Sequence, residues 1–236
     1  MNEIKALVFD VFGTVVDYRS TIIREGEQLN QQKRLNVDWA AFADAWRGLY
    51  RPFMDRVARH ELPWTKLDVL HRMALEELLP AFKVADRFTE EEKVHLNRVW
   101  HRLQPWPDSV GGLTRLRQKF ILATLSNGNV ALLTNMAKYS ALPWDCILSA
   151  ELVRAYKPDP KVYHMPIELL DLQPNQIMLV AAHQDDLRAA QSHGLRTCFV
   201  PRPLEFGPER IPDLTPDPTF DSVASDLIDL AHQLGA

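Results

Sequence analysis

Cysteine is almost missing from this chain: 236 residues carry two, Cys146 and Cys198. They lie far apart and among apolar neighbours, which excludes a disulfide scaffold and reads as two small buried hydrophobes. No basic run is long enough to track a phosphate backbone. With 27 Lys and Arg against 31 Asp and Glu and a net charge of −4, nucleic acid is not an expected partner. No apolar stretch reaches the roughly 18 residues of a membrane span, and the apolar segment at the N-terminus is too short for a signal peptide. No membrane, a small-molecule ligand and a cytoplasmic location are therefore expected. Glycine is scarce as well, and residues 16–103 hold only Gly26 and Gly48.

What is present is an ordinary apolar fraction, 46%, enough for one large domain or a domain with a sizeable insertion. Near the start, Ala6-Leu7-Val8-Phe9 runs straight into Asp10, and Gly13-Thr14 breaks the run. This places a carboxylate at the C-terminal tip of a buried parallel strand, where ligands bind in open α/β sheets. A carboxylate so freed from the ladder can act as a nucleophile; the plainer reading is a strand-end Asp that caps the next segment.

From about residue 16 to 103, apolar residues recur at spacings near three and four: Ile22, Ile23, Leu29, Trp39, Phe42, Trp46, Leu49, Tyr50, Phe53 and Val57, then Leu67 to Leu79 and Val94 to Leu103. The pattern predicts amphipathic helices with no strand between them, an all-helical unit lying as a lid over the sheet. Beyond it, helices alternate with short apolar runs: Phe120 to Leu125, Cys146 to Ser149, Ile177 to Ala182 and Thr197 to Val200. This alternation predicts βαβ units and a doubly wound parallel sheet, an α/β fold. The Pro-rich run 201–218 reads as an ordered surface loop, and a last helix is expected over about Ser222 to Leu234. There is no internal repeat. Three strands end in polar groups, Asp10 with Thr14, Ser126 with Asn127, and His183 with Asp186, and Lys157 lies on a loop between them. Such ends converge on one crevice in a doubly wound sheet. Taken singly, Thr14 and Ser126-Asn127-Gly128 read as turn residues, and Lys157 as a surface lysine.

The order Phe9-Asp10-x-Phe12-Gly13-Thr14, Ser126-Asn127-Gly128, Tyr156-Lys157-Pro158-Asp159 and a last strand ending in an acid resembles the haloacid dehalogenase superfamily over essentially the whole chain. Within it, the chain is most similar to the type II 2-haloacid dehalogenases. The resemblance implies a Rossmann-like core of residues 1–15 and 104–236 with residues 16–103 as a helical cap. It implies hydrolysis of short 2-haloalkanoic acids to 2-hydroxy acids: Asp10 displaces halide to form an ester, which water then hydrolyses. Thr14 would orient Asp10, Lys157 would keep it ionised, Tyr163 would position Lys157, and Asp186 would position or activate the water. Ser126 and neighbouring amides would take the substrate carboxylate, Asn127 and Arg47 the halide, and Val11 and Phe12 would border the substrate. The cap's apolar faces suggest a homodimer.

The choice among relatives rests on what is missing. Phosphatases of that superfamily carry a second aspartate two residues after the nucleophile to protonate the leaving alcohol; this chain has Phe12. Halide needs no proton. Aligning Asp186 with the final metal-holding acid puts Ala181 where the first would stand. A monoanionic haloacid can be neutralised by Lys157 and Arg47, so neither metal nor organic cofactor is expected, although adjacent Asp185 and Asp186 leave a metal open. The dehalogenase form Ser-Ser-Asn-x-x-Asp is here Ala181-Ala182-His183-x-x-Asp186. His183 is thus either a base for ester hydrolysis or a space-filling hydrogen-bond donor. Asp185 replaces an aromatic of the halide pocket and is expected to point away or to pair with a base. The competing readings are a magnesium-dependent phosphatase and a catalytically idle binding protein.

Overall fold

The computed structural model describes residues 3–210 and 212–236. Strand β1 (Ala6–Phe9) is fully buried along its length, as a four-residue apolar run must be when both faces of a parallel sheet are covered. Next come a two-residue strand, β2 (Val16–Asp17), and the helices α1 (Tyr18–Lys33), α2 (Trp39–Ala58), α3 (Leu67–Ala81) and α4 (Glu90–Asn97). The chain returns through β3 (Gln104–Pro105), which pairs antiparallel with β2, Val16 facing Pro105 and Asp17 facing Gln104. After it run α5 (Ser109–Leu116), β4 (Ile121–Ser126), α6 (Val130–Tyr139), β5 (Cys146–Ser149), α7 (Pro160–Leu170), β6 (Ile177–Ala181), α8 (Gln184–Ser192), β7 (Arg196–Phe199), β8 (Ser222–Val223) and α9 (Leu227–Gln233).

The main sheet has the order β5-β4-β1-β6-β7-β8, and every neighbouring pair in it is parallel. The doubly wound sheet read from the sequence is the one observed. After β1 the chain builds outward on one side through β4 and β5, then recrosses to build β6, β7 and β8 on the other. Connections therefore diverge on either side of β1, which opens a crevice beyond its C-terminal end. Register sets what meets there. Phe9 pairs with Thr124 and Val180, so Asp10, Asn127 and His183 all emerge within about one turn of chain past the sheet.

The helices between β2 and β3 close over that end. Asp17 and Asp38 cap α1 and α2 by accepting from the Ser20 and Ala41 amides, and Thr89 with Glu92 forms a capping box on α4. Trp39, Trp46 and Trp100 are wholly buried among these helices. Gly26 lies flat on the Trp39 ring, where a Cβ would come within 2.0 Å, so the sparse glycine of this region marks a helix contact. Ties to the sheet side come from Asn129, whose amide exchanges hydrogen bonds of 2.9 and 3.1 Å with Asp68, and from Tyr156 Oη, which donates to Thr65 O at 2.7 Å.

Three expectations need correction. Residues 16 and 17 are extended and pair across the neck, because the chain must leave and re-enter the sheet side at one place. Ser222–Val223 form the edge strand β8 and not the start of a helix: Asp221 accepts from the Thr197 amide at 2.9 Å and fixes this segment beside β7, so α9 begins only at Leu227, capped by Asp226. The loop after β7 is not simply a surface loop, since it buries Arg202 and Glu205. Cys146 is half-buried and Cys198 buried, both as free thiols. Among the described residues, no helix is long and apolar enough to cross a membrane.

Candidate active site

Asp10 leaves β1 with its amide donating to Val180 O at 3.1 Å, which turns its side chain into the crevice. Its Oδ2 accepts from Thr14 Oγ1 at 2.8 Å, and Thr14 Oγ1 in turn accepts from the Ala182 amide at 2.9 Å. Thr14 thus locks the loop that carries Asp10 to the end of β6. His183 Nδ1 lies 2.9 Å from the same Oδ2, while Nε2 lies 2.9 and 3.1 Å from the two carboxylate oxygens of Glu205. The other oxygen, Oδ1, faces Lys157 Nζ at 3.7 Å.

Lys157 is gripped harder on its far side. Its Nζ donates to Asp186 Oδ2 at 2.5 Å, and Tyr163 Oη donates to Asp186 Oδ1 at 2.7 Å. Both Asp186 oxygens are thereby engaged in orienting the ammonium. Asn127 Oδ1 accepts from the Lys157 amide at 2.9 Å, which fixes the loop that carries the lysine. Asp186 sits in the first turn of α8, where the helix dipole favours a negative charge.

Burial alone would push the Asp10 carboxyl up, but Lys157, then His183 and Thr14, outweigh it and hold the group well below the ordinary carboxylate range. The same pairing works in reverse on the cations. Burial disfavours charged Lys157 and His183, yet Asp186 and Asp10 raise the lysine, and Asp10 and Glu205 raise His183 to about 10. At neutral pH the ring is an imidazolium donating to a carboxylate on each side. Asp186 is raised by burial and by the Asp10 charge, against the pull of Lys157.

Opposite this charged floor lies an aromatic ceiling. Arg47, on α2, is sandwiched between the rings of Tyr50 and Tyr18 at 4.3 and 5.0 Å, contacts worth about 0.5–2 kcal/mol each. Burial would lower it, but the two tyrosines, Glu205 and Asp10 keep it charged. Its buried Nη1 has no hydrogen-bond partner in the protein, so with both faces covered by rings the guanidinium keeps an edge N–H to offer an anion. Floor and ceiling enclose a cleft of about 380 Å³ lined by Asp10, Phe12, Arg47, Tyr50, Met54 and Asn127, with Lys157, Tyr163, His183 and Asp186 beneath. Arg51, Pro158 and Asp185 stand exposed at its mouth. Asp185 therefore lines the cleft rather than pointing away, and among the described residues it forms no ion pair.

Of the residues read from the sequence, Asp10, Phe12, Arg47, Asn127, Lys157, Tyr163, His183 and Asp186 line this one cleft, and Thr14 bonds Asp10 from below. Two side chains do not reach it. Ser126 is fully buried with its hydroxyl accepting from the Gly128 amide at 3.2 Å, and Val11 packs into the core while its carbonyl receives the Val15 and Val16 amides. Sequence reasoning missed Tyr50, Met54 and Glu205. The first two follow helical spacing from Arg47 and were readable as the same face of α2; Glu205 had no such signal. Among the described residues no group of three or more His, Cys, Asp or Glu is arranged to hold a metal ion.

A family model for haloacid dehalogenase-like hydrolases matches residues 4–194. The chain is similar to the crystal structure of an L-2-haloacid dehalogenase, with 45% identity and a TM-score of 0.95 over 98% of this chain and 99% of that one. It is equally similar to a defluorinating L-2-haloacid dehalogenase, at 43% identity and a TM-score of 0.95 over 99% and 96% of the two chains. An (S)-2-haloacid dehalogenase of Pseudomonas sp. (strain CBS-3) is 28% identical over 228 residues, 89% of this chain and 92% of that protein.

Proposed function

The chain belongs to the haloacid dehalogenase-like hydrolases, and from that membership we propose that it hydrolyses short (S)-2-haloalkanoic acids to 2-hydroxy acids through an ester on Asp10. The observation that carries the reading is the pairing of Asp10 with Lys157 in a cleft where the second position after the nucleophile is the ring of Phe12. Carbon–halide cleavage needs an ionised nucleophile and an anion seat but no acid for the leaving group. A phosphate ester would need that acid.

The division of labour follows from the hydrogen bonds. Oδ2 of Asp10 is held by Thr14 and His183, which leaves Oδ1 to attack the halogen-bearing carbon from behind and invert it. Arg47 and Asn127 take the departing halide, the guanidinium with its unpartnered nitrogen. Lys157 keeps the carboxylate charged yet desolvated, which preserves its nucleophilicity. Asp186, with both oxygens committed to Lys157 and Tyr163, serves to orient the lysine and leaves water activation to His183, whose Nδ1 already touches the nucleophile. Residues 16–103 act as a cap that excludes water around the halide.

The residues here do not fit a magnesium ion between the two acids. The Lys157 ammonium sits there, 2.5 Å from Asp186 and 3.7 Å from Asp10, and Ala181 contributes no oxygen ligand. The deciding experiment is halide release from chloroacetate and from both 2-chloropropionate enantiomers in EDTA and oxygen-18 water. Release confined to the (S) enantiomer, with heavy oxygen entering Asp10, is the expected result. Chelator-sensitive phosphate release with no halide release overturns the reading.

A further inference from the structure

The loop after β7 delivers a carboxylate that no motif marks. Glu205 is 2% exposed and grips His183 Nε2 with both oxygens, while the opposite ring nitrogen meets Asp10. Its place is built. Gly13 has φ +84°, and a Cβ there would stand 2.2 Å from Glu205 Oε1, so only glycine leaves room. Three residues earlier, buried Arg202 donates to Thr14 O at 2.9 Å and forks onto Asp108 at 2.7 and 2.8 Å. Asp108 also accepts from the Leu227 amide at 2.8 Å, and the Glu205 amide donates to Arg202 O at 3.1 Å. The loop is thus pinned to the nucleophile loop on one side and to α9 on the other.

We propose that Glu205 is a positioning residue that acts through His183 to time the second half of the reaction, holding the imidazole on Asp10 after esterification has removed the nucleophile's charge. The proposal rests on the aspartyl-ester reading above. In the resting state His183 donates to two carboxylates and has no lone pair for a proton. Attack by Oδ1 forms the O–C bond, and the C–halogen pair leaves as halide. Asp10 is then a neutral ester, one of the two anions facing the ring is gone, and the imidazolium sheds its Nδ1 proton through the cleft to solvent. Glu205 retains the Nε2–H, so Nδ1 is left as the acceptor and stays aimed at the ester.

Water then gives a proton to Nδ1 as its oxygen bonds to the Asp10 carbonyl carbon. Collapse breaks the bond between that carbon and Oδ1, and the leaving alkoxide takes the proton from Nδ1. The acid proton left on Asp10 passes to Nδ1 and restores the imidazolium–carboxylate pair. One halide and one proton are released per hydroxy acid formed, which balances the hydrolysis. The charged groups that face His183 are Asp10 and Glu205 directly, with Lys157, Asp186 and Arg47 beyond Asp10, and of these only Asp10 changes charge during the cycle.

The test is rapid-mix turnover of chloroacetate with the full-length wild type, Glu205→Gln and Glu205→Asp, following the halide burst, ester mass and pH profile of ester hydrolysis. In Glu205→Gln, hydrolysis should fall at least thirtyfold more than the burst, with ester accumulating to one per chain. The midpoint of its pH profile should move at least one unit down, and Glu205→Asp should recover part of both. Equal loss in burst and hydrolysis, or an unmoved midpoint, overturns the proposal. Arg202→Lys, which loosens the loop but keeps the acid, must show the same order of effects should Glu205→Gln fold poorly. Absence of any burst or ester in the wild type sinks the ester reading instead, which separates the two failures.

Discussion

His183, half-buried, and His71, buried, both stand against residues of the cleft, one from the sheet side and one from the helices above, and they are driven in opposite directions. His183 lies between two carboxylates and is raised to about 10. His71 lies among the rings of Phe12, Trp46, Tyr50 and Trp100, stacked on the last at 4.1 Å, and neither ring nitrogen has a hydrogen-bond partner in the protein. Burial lowers it to about 3, with Asp68 opposing and Arg47 adding to the shift. His71 is 2% exposed and the His183 side chain 23%, but it is the partners that set the opposite directions. The floor keeps several charges ionised by setting them against one another, whereas the ceiling stays dry and tolerates one charge, Arg47, held by ring faces. A site that must activate an anion and then accept another needs both.

The largest effect should come from cutting the floor at its centre. Asp10→Asn should lower kcat for halide release by at least about a thousandfold, as loss of a covalent nucleophile does. Removing the ceiling's charge comes next. Arg47→Gln should cost about a hundredfold or more in the halide burst, the range found for loss of one anion-stabilising donor, with ester hydrolysis much less affected. An Arg47→Gln enzyme with an unaltered burst would show that the guanidinium holds the cap together and not the halide. Tyr163→Phe removes one hydrogen bond to a carboxylate that orients Lys157, a contact worth about 1.5–3 kcal/mol, so kcat should fall roughly ten- to a hundredfold.

The smallest effects sharpen the comparison of the two histidines through stability. A raised folded-state pKa means that the His183 contribution is fully present below its ordinary 6.5 and is lost as pH rises toward about 10. For His71 the sign reverses: the unfolded chain binds the proton first, so stability is lost as pH falls from 6.5 toward about 3. Urea midpoints measured across pH should therefore flatten on the alkaline side in His183→Asn and on the acid side in His71→Phe. Asp10, held low, adds its own acid-side loss in both wild type and His71→Phe, so the difference between those two curves is the quantity to read. Identical curves would mean that His71 is hydrated in solution.

Much of this was legible along the chain. A four-residue apolar run ending in Asp, Gly and Thr can be little other than a central parallel strand with a carboxylate at its tip, because both sheet faces demand apolar residues and the turn demands glycine. Strand ends repeat that logic at Asn127 and His183, while Arg47 entered through the family resemblance and not through helical spacing. The edge strand at Ser222–Val223 was not legible, since two residues have no period and their pairing is set by Asp221 reaching Thr197, 24 positions away. Ser126 and Val11 were misplaced for a related reason: a strand-end position says which end of the sheet a residue occupies, and only the local turn decides whether its side chain faces the cleft or the core.

By itself, then, the sequence determined the doubly wound sheet, the helical insertion and the place of Asp10 at a strand end, because each is encoded in apolar period or in adjacency to a strand end, whereas Lys157, on a loop, entered only through the family resemblance. Only the tertiary structure decided the surroundings of His183, set between Asp10 and Glu205. That depends on Glu205, from an irregular loop whose approach is set by the missing Cβ of Gly13 and by Arg202 closing on Asp108, 94 residues distant. Contacts of that length leave no local period in a chain, and burial with a charged partner, not residue type, fixes what a histidine can do.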